Sequence, residues 1–170
     1  MNDFLDTIRP ELHVLFQATI ALLLGGLVGW ERETAGKWAG LRTHMLVCLA
    51  SMMFIRVGQF LIIDSNQLPY ANSLQMDPVR LIEAIVTGIA FLGAGTVFRD
   101  PEAAKMRGLT TAASLLVIAP IGVAIAIDRY VLAVGITLIA LFVLRVLNKL
   151  EVNAKPKRET SSASETGTSK

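Results

Sequence analysis

An almost uninterrupted apolar stretch occupies residues 12–30, LHVLFQATIALLLGGLVGW. A helix needs about 20 mostly apolar residues to cross the roughly 30 Å hydrocarbon core of a bilayer. Four more stretches of this kind follow, at about residues 44–63, 79–98, 109–127 and 130–147. The sequence therefore predicts an all-α, polytopic membrane protein with about five transmembrane helices.

The composition of the whole chain agrees with a membrane location. Of its 170 residues, 53% are hydrophobic and 18% are charged, which is too apolar for a typical soluble domain. The net charge of +2 lacks the basic excess of a nucleic-acid-binding protein. A single cysteine, Cys48, and the absence of CxxC and HExxH motifs argue against a zinc site, so we expect no cofactor and assign no metal ligands.

The domain organisation follows from a change in composition near residue 150. Residues 1–150 are predicted to form one membrane domain without internal repeats. Residues 151–170 are rich in Lys, Glu, Ser and Thr, and we expect them to form a disordered cytoplasmic tail. Within the membrane domain, the Asp100-Pro101 pair predicts a short surface helix over residues 101–106.

The orientation follows from the basic residues that flank the predicted spans. Lys and Arg accumulate on the cytoplasmic side of membrane proteins. Eleven of them follow the first, third and fifth helices, whereas three lie on the opposite side, at Arg9, Arg80 and Arg129. We therefore expect a multi-pass protein of the bacterial inner (plasma) membrane, with its N-terminus outside and its C-terminus inside.

Small residues recur along the first and third predicted helices at spacings that place them on one face. In lipid, such residues allow helix backbones to approach closely. A pore-lining role is the alternative to helix packing. The residues assigned to packing are Gly25, Gly29, Gly88, Gly93 and Gly95.

Two charged residues are predicted at membrane depth, Arg56 in the second helix and Glu83 in the third. At about 1.5 Å per residue, both lie roughly 21 Å from the predicted inner ends of their antiparallel helices. An ion pair between them would relieve the cost of removing each charge from water. The alternative is that either residue serves an ion path.

Charged and hydroxyl side chains also gather at the helix ends on the predicted cytoplasmic side. Two of these ends are helix N-termini, whose free N–H groups suit an anion or a neighbouring carboxylate. The alternative is that the residues only cap helices and anchor them at the interface. This predicted inner-face site for a ligand or partner comprises Glu31, Arg32, Arg42, Thr43, His44, Thr110 and Thr111.

Three stretches of the sequence, which we call blocks, together resemble a known protein family. They read GGLVGWERETAGKWAGLRTHMLVCLAS at residues 25–51, GIAFLGAGTVFRD at 88–100 and RGLTTAASL at 107–115. In order and spacing they resemble the MgtC/SapB family of bacterial inner-membrane proteins. The resemblance implies a role in growth at low magnesium and, in pathogen members, in survival inside macrophages, where the virulence factor itself is reported to act on the F-type ATP synthase.

The chain also departs from that family in two respects. Virulence-associated members carry Asn where this chain has Thr110, so the resemblance is closer to the general family. Many members continue into a cytoplasmic domain that resembles an ACT module, whereas this chain ends in polar residues. We therefore expect the membrane domain only, without a C-terminal ACT-like domain.

Two function classes remain open. The favoured one is an accessory or regulatory role in magnesium homeostasis and in low-magnesium or stress adaptation, exerted by binding a membrane complex such as the F-type ATP synthase. The alternative is a transporter or channel for magnesium or another ion, which would need more buried carboxylates than Glu83 alone. Self-association into a homo-oligomer also stays open. An enzyme is not expected, because His13 and His44 are predicted on opposite sides and Cys48 lies in an apolar helix.

The predicted orientation can be tested with single cysteines at Ser65 and Ser162 in a Cys48→Ala background. An impermeant thiol reagent applied to intact cells should label position 65 and leave position 162 unlabelled, because only the former is predicted to be outside. The opposite labelling pattern would overturn the topology.

Overall fold

The fold is built from five helices. The computed structural model describes residues 2–65, 77–100 and 105–154. Three helices contain stretches long and apolar enough to cross a membrane, Ile8–Thr34, Leu41–Ile62 and Leu109–Ala126, and a shorter apolar stretch covers Tyr130–Val146. The predicted all-α membrane fold is confirmed, while the orientation and the exact number of spans stay predictions. The helices are α1 (Asn2–Thr34), α2 (Leu41–Ser65), α3 (Pro78–Ala94), α4 (Leu109–Ala126) and α5 (Tyr130–Ala154).

The helix ends differ from the apolar stretches that predicted them. Helix α1 begins at Asn2 and includes Pro10, and α5 continues to Ala154, past the predicted domain boundary at residue 150. An apolar stretch measures the thickness of the hydrocarbon core, and a helix can extend beyond it into water. The part of the predicted tail from residue 155 onward lies outside the described residues.

A two-stranded hairpin connects α3 to α4. Strand β1 (Phe98–Asp100) pairs antiparallel with β2 (Lys105–Arg107), and Asp100 and Arg107 form an ion pair at 2.8 Å. The predicted surface helix over 101–106 is wrong at its C-terminal end, where β2 begins, and residues 101–104 lie outside the described part of the chain. Pro is common in turns as well as at the first position of a helix, so the Asp-Pro pair was an ambiguous signal.

The start of α3 follows its sequence signal. The side chain of Asp77 accepts a hydrogen bond from the backbone N–H of Val79 at 2.9 Å, and Pro78 occupies the first turn. An N-cap carboxylate satisfies a helical N–H group that has no intrahelical partner. The local sequence thus determines where this helix begins.

Helix α4 forms the centre of the bundle and contacts each of the other four helices. Ile118, Ile121 and Ile125 on this helix are fully buried. A helix that is buried on most of its circumference has apolar residues all round. The central position of α4 brings residues from every other helix to its surface.

Close backbone approaches join α1 to α2. A Cβ atom added to Gly25 would lie 2.8 Å from the His44 carbonyl oxygen, and one added to Gly29 would lie 2.7 Å from Leu41 Cα. On α3, Gly93 lies against Ala112 of α4, whereas Gly88 has no neighbour of this kind within 4 Å in the described residues. Among the described residues, Gly88 therefore packs against no neighbouring helix.

A further close approach joins α4 to α2 at Gly122, a residue that the sequence did not single out. An added Cβ atom would lie 2.9 Å from the Ser51 Cβ and 3.0 Å from the Met52 nitrogen. Because real Cβ atoms are not found so close to backbone, α2 would have to move away from α4 to accommodate any other residue.

We expect Gly122→Ala to lower the free energy of unfolding by about 1–3 kcal/mol, because the added methyl group overpacks the contact between α4 and α2. The matched control is Gly135→Ala on α5, where an added Cβ meets nothing within 4 Å. Its helix propensity should leave stability unchanged or raise it by up to about 1 kcal/mol. Thermal unfolding of both variants in detergent provides the measurement, and equal midpoints would contradict the contact.

Candidate functional site

Two clusters of polar side chains lie between the helices, near opposite ends of α4. Gln17 and Glu31, which belong to different clusters, are fourteen positions apart on α1, or roughly 21 Å. We name the first the His44 cluster, and it comprises Glu31, Arg32, His44, Thr111 and Ser114. We name the second the Asp128 cluster, and it comprises His13, Gln17, Arg56, Gln59, Asp128 and Tyr130.

A buried ion pair forms one side of the His44 cluster. The side chains of Glu31 and Arg32 are 6% and 1% exposed, and Arg32 Nε donates to Glu31 Oε2 at 2.5 Å. Arg32 Nη2 also lies 3.5 Å from the backbone oxygen of Leu144 on α5. Adjacent residues of a helix ordinarily point in different directions. Glu31 and Arg32 can pair because both side chains turn into the bundle. It links the end of α1 to α5.

The imidazole of His44 forms the other side of this cluster and is fully buried. Its Nδ1 lies 2.9 Å from the Gly40 carbonyl oxygen, and its Nε2 lies 3.0 Å from Ser114 Oγ. Because a carbonyl oxygen only accepts, Nδ1 carries a proton and donates it to Gly40. The Ser114 hydroxyl in turn donates its one proton to the Thr111 carbonyl oxygen at 2.8 Å. His44 therefore connects α2 to α4.

The N-terminus of α2 is capped by a carboxylate from α1. Glu33 Oε2 accepts from the Leu41 backbone N–H at 2.8 Å. A Cβ added to Gly40 would lie 2.6 Å from the same Glu33 oxygen, so glycine leaves room for the cap. A neighbouring carboxylate is one of the two occupants that the sequence predicted for this helix end, and the acid that supplies it is Glu33.

The structure divides the predicted inner-face site into buried and exposed parts. It brings together Glu31, Arg32, His44 and Thr111, all of them buried. Although Glu31 and Arg32 lie near the C-terminal end of α1, both side chains are thus enclosed by the bundle. The other three predicted members, Arg42, Thr43 and Thr110, are exposed.

The exposed threonines line two different openings. Thr43 lines a crevice of about 540 Å³ beside Trp38 and Phe98, whose rings make an edge-to-face contact at 5.3 Å. Thr110 lines an apolar groove of about 270 Å³, which we name the α4–α5 groove. The lining residues of the α4–α5 groove include Val28, Ser114, Val117, Ile139, Val143 and Leu144.

Arg56 belongs to the Asp128 cluster, near the C-terminal end of α4. Its guanidinium donates to Gln17 Oε1 at 2.6 Å, to Gln59 Oε1 at 2.9 Å and to Asp128 Oδ2 at 3.3 Å. The predicted pair with Glu83 is therefore wrong, because Glu83 is exposed on α3. Equal depth in the membrane does not determine which way two side chains point around their helices.

Asp128 lies in the turn between α4 and α5, with a positive φ of 59° that Asp tolerates better than most residues. It accepts from the Tyr130 hydroxyl and from Gln17 Nε2, both at 2.8 Å, and His13 Nε2 is also at 2.8 Å. Burial raises the pKa of Asp128, but the hydrogen bonds from Tyr130 and His13, with the charge of Arg56, hold it below its usual value. The turn therefore presents an ionised carboxylate.

Sequence reasoning assigned no site role to six members of these clusters, His13, Gln17, Gln59, Ser114, Asp128 and Tyr130. Gln17 was detectable as the one amide in the apolar stretch at residues 12–30. Its side chain is fully buried and also donates to the Ile125 carbonyl oxygen at 2.8 Å. Ser114 and Asp128 offered no comparable signal, because a serine in a helix and an aspartate in a turn are ordinary features.

The long apolar helices define an α-helical membrane protein. The family model of the MgtC family matches residues 19–153. The chain therefore belongs to the MgtC family, as the three sequence blocks predicted.

Three relatives illustrate the match. The chain is 35% identical to "Putative magnesium transporter YhiD" of Escherichia coli (strain K12), over 80% of this chain and 61% of that protein. It is 38% identical to "Protein MgtC" of Brucella abortus (strain 2308), over 68% of this chain and 43% of the relative. It is 37% identical to "Protein MgtC" of Salmonella typhi, over 81% of this chain and 57% of that protein. The chain thus spans about half the length of these relatives, and no solved structure matches it.

We expect Glu31→Leu to lower the free energy of unfolding by about 3–5 kcal/mol, because it leaves Arg32 buried without its counter-charge. The double variant Glu31→Leu, Arg32→Leu should lose less, since no unpaired charge remains. Unfolding in detergent measures both.

Arg42→Leu is the control for this pair of variants, since Arg42 is exposed and its removal should change stability by about 0.5 kcal/mol or less. A double variant that is less stable than Glu31→Leu alone would show that the buried ion pair does not hold this end of the bundle together.

Proposed function

We propose that this chain is an accessory or regulatory protein of the bacterial inner membrane, that it serves magnesium homeostasis and adaptation to low magnesium or stress, and that it acts by binding a membrane partner. Family membership supports the link to magnesium, since one relative is named as a putative magnesium transporter and others are named MgtC. Partner binding is argued from the site itself.

The observation that carries the proposal is the position of the α4–α5 groove beside the His44 cluster. Two residues connect them: Ser114, a member of the cluster, lines the groove and hydrogen-bonds His44, and Leu144 lines the groove and offers its carbonyl oxygen to Arg32. Within lipid, helices associate mainly through van der Waals packing into such apolar depressions. A partner helix in the groove would therefore contact the groups that hold the buried charges in place.

The hydrogen bonds of the cluster favour this role over ion transport. The Glu31 carboxylate is paired with Arg32, and both nitrogens of His44 have partners. Magnesium requires oxygen ligands, usually carboxylates, and retains several waters. To bind Glu31, it would have to displace the Arg32 guanidinium from a buried pair, which is costly.

The alternative is a transporter or channel for magnesium or another ion. The name of the Escherichia coli relative favours it, as does the presence of a buried carboxylate at Glu31. In this case, movement of Arg32 toward Leu144 would free the carboxylate. Magnesium flux into liposomes that contain the purified protein separates the two functions, because an accessory protein should add nothing to the flux of empty liposomes.

The groove is tested by filling it. We expect Ala113→Phe, at a position that lines the groove, to abolish complementation of low-magnesium growth without reducing the amount of inserted protein, since the ring would occupy the partner's place. The control is Ala50→Phe on the exposed face of α2. If growth falls only in proportion to inserted protein, or falls equally in the control, the groove is not the functional surface.

A second measurement identifies what enters the groove. Photoreactive side chains at Val117 and Ile139, which line it, should cross-link one discrete membrane protein in cells grown at low magnesium. The same group at Leu46, an exposed apolar residue of α2, should not. Subunits of the F-type ATP synthase are the first candidates, because the family resemblance points to that complex. Labelling of lipid alone at all three positions would contradict the proposal.

A further inference from the structure

Helix α3 carries two opposite charges that have no partner among the residues the structure describes. Arg80 and Glu83 are both exposed, and neither side chain forms an ion pair or hydrogen bond with the described residues. The remainder of this helix is strongly apolar, with the sequence PVRLIEAIVTGIAFLGA. A charge on the outer surface of an apolar helix is costly in lipid unless it finds water or a counter-charge.

The charges belong to the face of α3 that points away from the bundle. Ile85, Ile89 and Gly93 are the buried residues of this helix. At 3.6 residues per turn, the opposite face carries Arg80, Ala84, Thr87 and Phe91, with Glu83 and Gly88 at its edges. All six are exposed, and Phe91 reaches 79%.

We propose that this face of α3 packs against α3 of a second copy of the chain, and that Arg80 of each copy pairs with Glu83 of the other. Two copies in one membrane share an orientation, so their α3 helices run parallel about a two-fold axis. Positions 80 and 83 are then offset by about 4.5 Å along the helix axis, which an arginine side chain spans. Symmetry makes each pair occur twice.

The residues that follow the charges on this face suit a close helix contact. Ala84, Thr87 and Gly88 are small, and small residues let two helices approach within van der Waals contact. A Cβ added to Gly88 meets nothing within 4 Å in the described part of the chain, so these residues leave the space beside it open to a neighbour. The charge pairs thus specify a parallel partner, and the small residues bring it close. This inference does not depend on the function proposed for the α4–α5 groove.

The dimer is tested first by disulfide cross-linking in native membranes. In a Cys48→Ala background, Thr87→Cys should give an oxidised dimer, because a parallel two-fold contact places position 87 near its own copy. Leu138→Cys is the control, since Leu138 is 60% exposed but lies on α5. The proposal would be overturned if Thr87→Cys gave no dimer, or if Leu138→Cys cross-linked equally through random collision. The outer face of α3 would then be in contact with lipid.

Charge exchange then tests the ion pairs. In the Thr87→Cys background, Arg80→Glu leaves two acidic residues on each copy, and Glu83→Arg leaves two basic residues. Each variant alone should therefore form about fivefold less cross-linked dimer than the Thr87→Cys parent, or less still. Co-expressed with different tags, the two variants should form a heterodimer at the level of the parent, because their charges are now complementary. Recovery would also show that both variants fold and insert. A mixed pair that stays as weak as the single variants would refute the pairing.

Discussion

The backbones of α1 and α4 both lie directly against α2, at positions where only glycine fits. Gly25 and Gly29 of α1 lie against the stretch of α2 that contains His44, and Gly122 of α4 lies against Ser51 and Met52. These contacts bring three helices closer than ordinary side chains would allow. The polar groups of the bundle depend on this closeness, because a hydrogen bond between side chains on two helices forms only when the helices are near enough for short side chains to meet.

The two polar clusters show how charged groups are accommodated between apolar helices. In the His44 cluster, Arg32 forms an ion pair with Glu31. One ring nitrogen of His44 hydrogen-bonds a backbone carbonyl oxygen and the other hydrogen-bonds a hydroxyl group. In the Asp128 cluster, one turn carboxylate receives hydrogen bonds from side chains of α1, α2 and α5. Removing a charge from water is costly, and each cluster offsets that cost with counter-charges and hydrogen bonds. Both therefore tie several helices together while leaving few polar atoms for other ligands.

Two apolar surfaces of the bundle are proposed to have separate roles. The α4–α5 groove is continuous with the His44 cluster through Ser114 and Leu144, so an occupant would contact residues that bear on the buried charges. The outer face of α3 has no such connection, and its distinctive feature is a pair of complementary charges. A partner that alters function is therefore assigned to the groove, and a second copy of the chain to α3.

Several features followed from the sequence alone. The length of the apolar stretches predicted the helical membrane fold, and Asp77 with Pro78 indicates where α3 begins. The three sequence blocks predicted the family. Each of these depends on local chemistry: a bilayer requires a certain helix length, and a cap requires a residue with a side-chain oxygen.

The tertiary structure alone decided which side chains meet. Arg56 and Glu83 were placed at one depth, yet Arg56 turns toward Asp128 and Glu83 toward the outside. Likewise, Arg32 is buried while Arg42 is exposed, although both flank the same short connection. Periodicity relates residues within one helix, but the rotation of each helix against its neighbours is determined by how their surfaces pack. In this bundle that rotation is set by Gly25, Gly29 and Gly122, whose contacts span distant parts of the chain.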